Sequence, residues 1–389
     1  MIRKQFPVRK NWIQRCQDVG FDYCNLPSSD GSWYWSEGVA YEFTSKQIDH
    51  LDDSTNELHA MCMQVANNII TTGDYPEEYG FSSSAKSLIE KSWNRKDLHL
   101  YGRFDLAYDG RNIKMLEYNA DTPTSLLEAA VVQWNWLEEA DGVPNRDQFN
   151  SIHEKLIERW KIIGQHLAAR PKIHFCGTNE AGREDWGNVE YLMDTAVQAG
   201  IDVSELSIED IGWDGLRFID LDDQDIMAVF KLYPWEWLAQ DQFAKDIDSA
   251  ATTWIEPAWK MLLSNKALLP ALWKEHKNHP LLLPSYFYNG VNPLAGKWVK
   301  KPILAREGAN VSVIENGQET ALSGSDFNSE YHKSGYVIQE WVDLPCIDGF
   351  RPIIGSWVIG DQAAGIGIRE DYNVVTGNDS HFVPHYFTE

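Results

Sequence analysis

The segment 100–119 constrains the fold most, because it has the sequence pattern of a β-hairpin with one polar face. Two runs with strand character, 100–108 and 113–119, flank the turn-forming pair Asp109-Gly110. Side chains alternate between the two faces of a strand, so polar residues two positions apart in each run lie on the same side. The chain is therefore expected to build an antiparallel pair of strands here.

The polar face of this hairpin carries Arg103 and Asp105 on one run and Glu117 and Asn119 on the other. A three-residue loop, 109–111, would place Arg103 opposite Glu117 and bring both pairs onto one face, whereas a two-residue loop would separate them. We predict the three-residue loop. Asp105, Glu117 and Asn119 would then offer oxygen ligands suited to Mg²⁺, with phosphate oxygens completing the octahedron. The alternative is a surface hairpin held by cross-strand ion pairs.

The residues after the hairpin have the pattern of a helix start. Ser125 with Glu128 fits a capping box, and the helix is expected to run over 125–139. Backbone N–H groups at such a start attract anions, and the hydroxyls of Thr122 and Thr124 can hold the carboxylate of a substrate. The alternative is that these hydroxyls only cap the helix.

A second set of residues suits phosphate groups. Lys266 lies near a helical segment, a strand delivers Lys301, and the loop after that strand carries Arg306 and Gly308. Glycine lets the backbone approach phosphates closely, and the three cations supply charge. The spacing does not match a Walker A motif. The alternative is an ordinary strand and loop.

The last part of the chain adds strands with polar positions. The mainly apolar run 336–342 contains a polar step at Gln339 and Glu340. Backbone groups of this run, up to Val342, can bind the edge of an adenine ring, and the Glu340 carboxylate can bind a ribose. An ordinary buried strand explains this run equally well. Arg369 lies near a strand end and is either a transition-state cation or a surface charge.

The run 116–130, LEYNADTPTSLLEAA, resembles the signature of glutathionylspermidine synthase-like proteins. The likeness covers most of the chain and is nearest to the short bacterial stand-alone members, described as acid–amine ligases. It implies an α+β protein with an ATP-grasp fold in circularly permuted order and an associated small α/β lobe of the pre-ATP-grasp kind. The other matching motifs are Arg103-x-Asp105, Asn265-Lys266-Ala267, Lys301-Pro302 with Arg306, and Gln339-Glu340-Trp341.

The resemblance also implies roles for individual residues. Thr122 and Thr124 replace serines of the glutathione-using relatives, which leaves the substrate acid open. Glu184 and Asp185 fall near an acidic pair that the family uses for substrate or polyamine recognition, and a solvated acidic loop is the alternative. The remaining implied roles are two Mg²⁺ ions on Asp105, Glu117 and Asn119, ATP phosphates on Lys266 and Lys301, and assistance to the chemistry from Arg103 and Arg369.

Together these features predict an ATP-dependent carboxylate–amine ligase that works through an acylphosphate. The expected cofactors are ATP and Mg²⁺, and the expected substrates are a small acid and amine, such as a thiol peptide and a polyamine, or a peptide. A phosphotransferase and a nucleotide-binding protein without turnover are the alternatives. Within one multi-lobed unit, 1–389, we expect a metal- and anion-binding segment at about 95–140, a small α/β lobe at about 170–235, a lid at about 254–335 and a nucleotide-binding C-terminal segment at 336–389.

Composition limits the partners. With 34 Lys and Arg against 58 Asp and Glu, the net charge is −24, which disfavours nucleic acid and anionic membrane surfaces. The five cysteines form no Cys-x-x-Cys, and no apolar leader or membrane-spanning run occurs, so a cytoplasmic location is expected. The sequence leaves open whether the chain is a monomer or a homodimer. The eleven histidines show no paired spacing, so any metal chemistry is expected to use oxygen ligands.

Overall fold

The structure is a computed structural model that describes residues 1–28, 31–144, 146–167, 172–180, 182–293, 295–306, 308–322, 331–377 and 380–389. Part of the predicted lid, 323–330, therefore lies outside the described residues, as does residue 168, the predicted end of a helix over 146–168.

Helices and strands are interspersed in the described chain up to Glu275, and strands dominate after it. The π-helical turn Glu128–Val132 runs directly into α4. The α-helices are Trp12–Asp18 (α1), Ser45–Thr72 (α2), Ser83–Arg95 (α3), Gln133–Glu139 (α4), Ile152–His166 (α5), Arg183–Gln198 (α6), Trp235–Leu238 (α7) and Leu268–Glu275 (α8).

Among the described residues, the strands form antiparallel sheets, one parallel sheet and one sheet with both kinds of pairing, and together with the helices they make a mixed α/β architecture. The sheet orders are β18-β17-β16-β3-β4, β10-β9-β5-β6, β11-β15-β12-β13-β14, β1-β2-β19 and β7-β8. The strands are Ile2–Gln5 (β1), Val39–Thr44 (β2), Tyr101–Tyr108 (β3), Ile113–Asn119 (β4), Ile173–Gly177 (β5), Val203–Ser207 (β6), Gly212–Trp213 (β7), Phe218–Ile219 (β8), Ala228–Lys231 (β9), Thr253–Ile255 (β10), Ser285–Phe287 (β11), Lys297–Pro302 (β12), Ser312–Glu315 (β13), Gln318–Ala321 (β14), Tyr336–Glu340 (β15), Arg351–Ile359 (β16), Gln362–Asp371 (β17), His381–Val383 (β18) and His385–Thr388 (β19).

The predicted hairpin forms as β3 and β4, but its predicted register is wrong. Arg103 lies opposite Asn119 and Asp105 opposite Glu117, rather than Arg103 opposite Glu117. Four residues, 109–112, separate the strands, and the Asp109 carboxylate accepts hydrogen bonds from two backbone N–H groups of that turn. A loop of four would put the polar pairs on opposite faces. A β-bulge after Asp105 adds one residue to the register and restores the shared face.

Helix α2 covers the opposite face of the antiparallel sheet formed by β3, β4, β16, β17 and β18. A capping box formed by Thr44 and Gln47 starts this helix, and Gly73 ends it with a positive φ of 69°. Its apolar residues, including Leu58, Cys62 and Val65, pack into the core, and its Thr55 contacts Ser356 of β16. The sheet therefore has one face against α2 and leaves the other face, with the polar pairs, for a site.

The small α/β lobe is built on the parallel sheet β10-β9-β5-β6, with α5 and α6 packed against it. Gly200 follows α6 with a φ of 83°, which is typical of a helix end. The sequence of 254–275, which is rich in tryptophan, predicts a helix, and this prediction is partly wrong because the first residues of the segment complete β10 of this sheet. The predicted helix over 146–168 starts only at Ile152, since Asn150 bridges to Gly365 of β17.

The third sheet, β11-β15-β12-β13-β14, contains the predicted strand that carries Lys301, β12, in a hairpin with β13, and the predicted strand in the run 336–342, β15. Across the described residues, no helix combines the length and the apolar character needed to cross a membrane. The five cysteines are free thiols, as expected from their spacing.

Candidate active site

A cavity of about 660 Å³ opens between the antiparallel sheet, the small α/β lobe and the β11–β15 sheet. Each of the residues predicted as catalytic, metal-binding, nucleotide-binding or substrate-binding lines this cavity. They come from strands, loops and a helix start that are far apart in the sequence. The structure thus brings the predicted residues to one place, while their individual roles stay predictions.

Arg103 and Asp105 form a buried pair on β3. The Arg103 guanidinium donates to both Asp105 oxygens, with N–O distances of 2.7 and 3.1 Å, and to the carbonyl oxygen of Thr124 at 2.7 Å. Both side chains are largely buried. Gly355 lies beneath the arginine, where an added Cβ would come within 2.9 Å of the Arg103 Cδ atom. Arg103 is therefore fixed in orientation beside the cavity.

The oxygen-rich face continues onto β4. The Asn119 amide lies between two carboxylates, 3.4 Å from Glu117 Oε1 and 3.5 Å from Asp105 Oδ2, and Lys266 Nζ lies 3.1 Å from Glu117. Burial acts to raise the pKa of Glu117, but the nearby Lys266 and Lys301 outweigh it and lower that pKa to about 2. The Glu117 carboxylate is thus ionised across the physiological range. These hard oxygen donors fit a Mg²⁺ ion.

The two predicted lysines flank these carboxylates. Lys266 Nζ also donates to the Ala305 carbonyl at 2.7 Å, and Lys301 Nζ donates to Gln339 Oε1 at 2.8 Å. Gln339 is buried, and its side-chain oxygen accepts this hydrogen bond from Lys301. The contact of Gln339 with a nucleotide stays a prediction. Burial lowers the pKa of Lys301 to about 8, although the Glu117 carboxylate opposes that shift. Lys301 can therefore lose its positive charge in a pH range where binding experiments are practical.

This pKa gives a signed prediction for nucleotide binding. Protonated Lys301 attracts phosphate, so the affinity for Mg-ATP should fall as the pH rises above about 8, and binding there should take up a proton. Titration calorimetry at several pH values in two buffers measures both effects. Lys301→Arg keeps its charge and should show a flatter profile. An equal decline in the two proteins would contradict this role of Lys301.

The loop after β12 reaches across the cavity to the small α/β lobe. Arg306 donates to the Thr122 hydroxyl at 2.9 Å and to Glu236 at 3.0 Å, and its guanidinium lies 5.3 Å from the centre of the Trp237 ring. Gly308 has a φ of 68°, and a Cβ there would clash with Val375. The loop is thus anchored over the cavity by a cation and a close backbone approach.

A buried ion pair links the segment after β4 to the small α/β lobe, and the sequence analysis missed it. Lys231 Nζ lies 2.7 Å from Asp121 Oδ1, and the Trp235 backbone N–H donates to Asp121 Oδ2 at 2.8 Å. Both charged side chains are almost fully buried. Asp121 lies within the run that carried the family resemblance, but its partner 110 residues away gives no local signal.

The predicted capping box of Ser125 and Glu128 does not form. Ser125 adopts a left-handed conformation with a φ of 65°, and the Leu126 N–H donates to Asn188 Oδ1 at 2.9 Å. Glu128 turns into the core, where it accepts a hydrogen bond of 2.7 Å from the Tyr34 hydroxyl. Tertiary partners have replaced the local cap. The side chain of Thr124 and its carbonyl remain on the cavity side.

Acidic groups occupy the side of the cavity formed by the small α/β lobe. Glu184 and Asp185 lie in the first turn of α6, and Glu180 and Glu236 line the same side. The site therefore has a cationic region at the lysines and an anionic region across from it. This polarity suits two substrates of opposite charge.

The remaining predicted residues lie at the edges of the cavity. Arg369 is half-buried on β17, two residues before the strand ends, and shares the sheet face of Arg103 and Asp105. Glu340, the last residue of β15, is exposed, and Val342, two residues further along the chain, is half-buried. These positions are compatible with their predicted roles and leave those roles as predictions.

The chain matches the family model described as "Glutathionylspermidine synthase preATP-grasp" over residues 3–388. A protein from Haemophilus influenzae that carries the provisional name acid–amine ligase is 56% identical over 387 residues, covering 98% of each chain.

Two longer relatives are more distant. The chain is 28% identical to the trypanothione synthetase of Crithidia fasciculata and 24% identical to the bifunctional glutathionylspermidine synthetase/amidase of Escherichia coli, over 84% and 88% of its own length. It spans only 53% and 58% of those two proteins. Among solved structures, a glutathione synthetase-like effector from Globodera pallida covers 97% of the chain with a TM-score of 0.57 at 14% identity, a likeness of fold.

Proposed function

The chain belongs to the glutathionylspermidine synthase family, and from this membership we propose that it is an ATP-dependent ligase that joins a carboxylic acid to an amine. The observation that carries the proposal is the grouping of Asp105, Glu117 and Asn119 with Lys266 and Lys301 on one cavity wall. That wall combines ligands for a hard cation with cations for phosphate, and an anionic region faces it.

We assign the fold to the ATP-grasp class in circularly permuted order. The support is the chain order, in which the carboxylate-bearing hairpin β3–β4 precedes the lysine-bearing strand β12 and its loop. Asp105, Glu117 and Asn119 would hold Mg²⁺, and the resemblance to the family implies two ions. Magnesium supplies neutralisation of phosphate charge.

The chemistry follows from the groups around the cavity. Lys266 and Lys301 bind the ATP phosphates, and Arg103 orients the acid. The acid's carboxylate oxygen attacks the γ-phosphorus, the bond to the β–γ bridging oxygen breaks, and ADP leaves an acylphosphate. The neutral amine then attacks the acyl carbon, and inorganic phosphate departs. Arg369, which lines the cavity, offsets the negative oxygen of the tetrahedral intermediate.

The acylphosphate must be kept from water. The loop that carries Arg306 lies across the cavity and is fixed to Thr122 and Glu236 on the other side. Such an arrangement lowers the access of water to the reactive intermediate. Arg306 therefore closes the site and adds a cation near the phosphates.

The anionic region of the cavity favours a cationic amine substrate. Each carboxylate there can accept a charge-assisted hydrogen bond from an ammonium group, and one of them can take the proton that the attacking amine releases. A polyamine has this chemistry. The name of the relative from Escherichia coli, a glutathionylspermidine synthetase, contains such a polyamine, spermidine.

Removing one of these carboxylates should affect the amine selectively. We expect Glu184→Gln to raise KM for the amine about tenfold or more, because a hydrogen bond to a charged group contributes about 1.5–3 kcal/mol. The Kd for Mg-ATP should change little. Asp194→Asn, on the exposed side of the same helix, is the matched control. An unchanged amine KM in Glu184→Gln would contradict the assignment of Glu184.

The proposed function is tested by ADP release from the purified chain with Mg-ATP, using a panel of acids crossed with amines. The acids should include thiol peptides, and mass spectrometry identifies the product. ADP formation that needs both substrates, with a new amide mass, supports the ligase. A phosphorylated product without an amide would identify a phosphotransferase. ATP binding without turnover for any pair would favour the nucleotide-binding alternative. The free cysteines and the need for ATP lead us to place the reaction in the cytoplasm.

A further inference from the structure

Three side chains from distant parts of the chain converge behind the candidate active site. His59 of α2 and His99, just before β3, point their Nε2 atoms at the same oxygen of Asp361, in the turn between β16 and β17. The distances to Asp361 Oδ1 are 3.3 Å from His59 and 3.1 Å from His99. The histidines are buried, whereas the Asp361 side chain is 66% exposed. The expectation that metal chemistry uses oxygen ligands alone misses this cluster, because 40 residues separate the histidines in the chain.

We propose that His59, His99 and Asp361 form a binding site for a divalent transition-metal ion, with Zn²⁺ as the ion that fits best. The three candidate ligand atoms lie within 4.8 Å of one another. Four ligands at about 2.0–2.1 Å around a tetrahedral ion are separated by about 3.3–3.4 Å, close to the two distances observed here. The exposure of Asp361 leaves the fourth position to solvent.

The geometry of the cluster is fixed by contacts outside it. The Gly360 N–H donates to the Leu100 carbonyl at 2.7 Å, and the Ala363 N–H donates to Asn56 Oδ1 at 2.8 Å. His59 Nδ1 lies 3.3 Å from the Tyr118 hydroxyl. The hydroxyl can accept an N–H bond from the imidazole, which leaves Nε2 to face a metal, and such outer contacts orient ligand histidines. The ligands are therefore held in place by ordered elements.

Nearby charges set the expected strength and selectivity. Lys260 is paired with Glu256 at 2.9 Å, and the Arg159 guanidinium donates to the His99 carbonyl at 2.6 Å. Asp361 supplies the negative charge of the three-residue cluster, and the other two ligands are the imidazoles of His59 and His99. Imidazole ligands favour zinc and similar ions over Mg²⁺ and Ca²⁺. Excess Mg²⁺ should therefore leave this site free.

The site lies on the opposite face of the sheet from the cavity. Tyr118, which contacts His59, alternates along β4 with Glu117 and Asn119, which face the cavity. A bound ion would join α2, the start of β3 and the β16–β17 turn. Its effect should be to stabilise the folded chain, as binding to the native state alone does.

The test is a Zn²⁺ titration of the full chain after removal of metals by chelation, with excess Mg²⁺ present and ATP absent. We expect one tightly bound ion per chain and a rise in the melting temperature. Co²⁺ used as a probe should give the visible absorption of a four-coordinate site. Asp361→Asn and His99→Gln should each weaken Zn²⁺ binding about 100-fold or more and remove the thermal shift, since even changes to outer contacts cost 10–100-fold. Asp141→Asn, at an exposed turn, is the control.

Two results would overturn the proposal. One is the absence of stoichiometric Zn²⁺ binding by the wild-type chain. The other is binding that survives unchanged in the variants, which would locate the ion elsewhere. Since Asp361 is exposed, Asp361→Asn should fold even where His99→Gln does not, and its melting temperature without metal verifies this.

Discussion

Glu117→Gln is expected to lower ATP-dependent amide formation about 1,000-fold. A metal ion contributes several kcal/mol of charge stabilisation to phosphoryl transfer, which corresponds to about three factors of ten in rate. Glutamine keeps the size of the side chain but loses the charge that faces Lys266 and Lys301. The concentration of Mg²⁺ needed for half-maximal rate should rise in parallel. Steady-state rates across a Mg²⁺ series measure both quantities.

The matched control is Glu138→Gln, because Glu138 is an exposed carboxylate on α4 away from the cavity. Its rate and Mg²⁺ dependence should equal those of the wild type. Thermal melts of both variants separate a catalytic effect from unfolding. A folded Glu117→Gln protein that kept more than a tenth of the wild-type rate, with unchanged Mg²⁺ dependence, would remove Glu117 from the metal site.

Arg103→Lys should reduce kcat about 100- to 1,000-fold while leaving the Kd for Mg-ATP nearly unchanged. The guanidinium contacts both Asp105 oxygens and the Thr124 carbonyl at once, and an ammonium group cannot reproduce that planar arrangement. Loss of one oriented cation from a developing negative charge typically costs 10²–10³ in rate. Single-turnover kinetics with a saturating acid and amine measure the chemical step directly.

Arg111→Lys is the control for this change, because Arg111 is exposed at the turn of the same hairpin. It should behave as the wild type. If Arg103→Lys retained its kcat and only weakened ATP binding, Arg103 would be a nucleotide contact rather than a group that acts on the acid.

The sequence predicted the hairpin because its signal is local. Alternating polar residues and the Asp109-Gly110 turn indicate two strands, with the polar residues of each strand on one face, without knowledge of the rest of the chain. The register could not be obtained in the same way, since the bulge after Asp105 is set where β3 pairs with both β4 and β16. The two polar pairs share a face, as predicted, but the bulge after Asp105 causes this rather than the predicted three-residue loop.

Tertiary contacts explain the other differences. Ser125 and Glu128 match a capping box, yet Asn188 and Tyr34 supply the hydrogen bonds from other elements. The ion pair between Asp121 and Lys231 also depends on the docking of the small α/β lobe. Such partners lie far away in the chain, and nothing in the local pattern indicates them.

Oxygen tracing tests whether the acid is activated as an acylphosphate. The acid is labelled with ¹⁸O in both carboxylate oxygens and turned over with Mg-ATP and the amine that supports ADP release. Each inorganic phosphate should carry one ¹⁸O from the acid, and the amide should retain the other. Inorganic phosphate without the label, formed together with the amide, would contradict activation of the acid by phosphoryl transfer at this site.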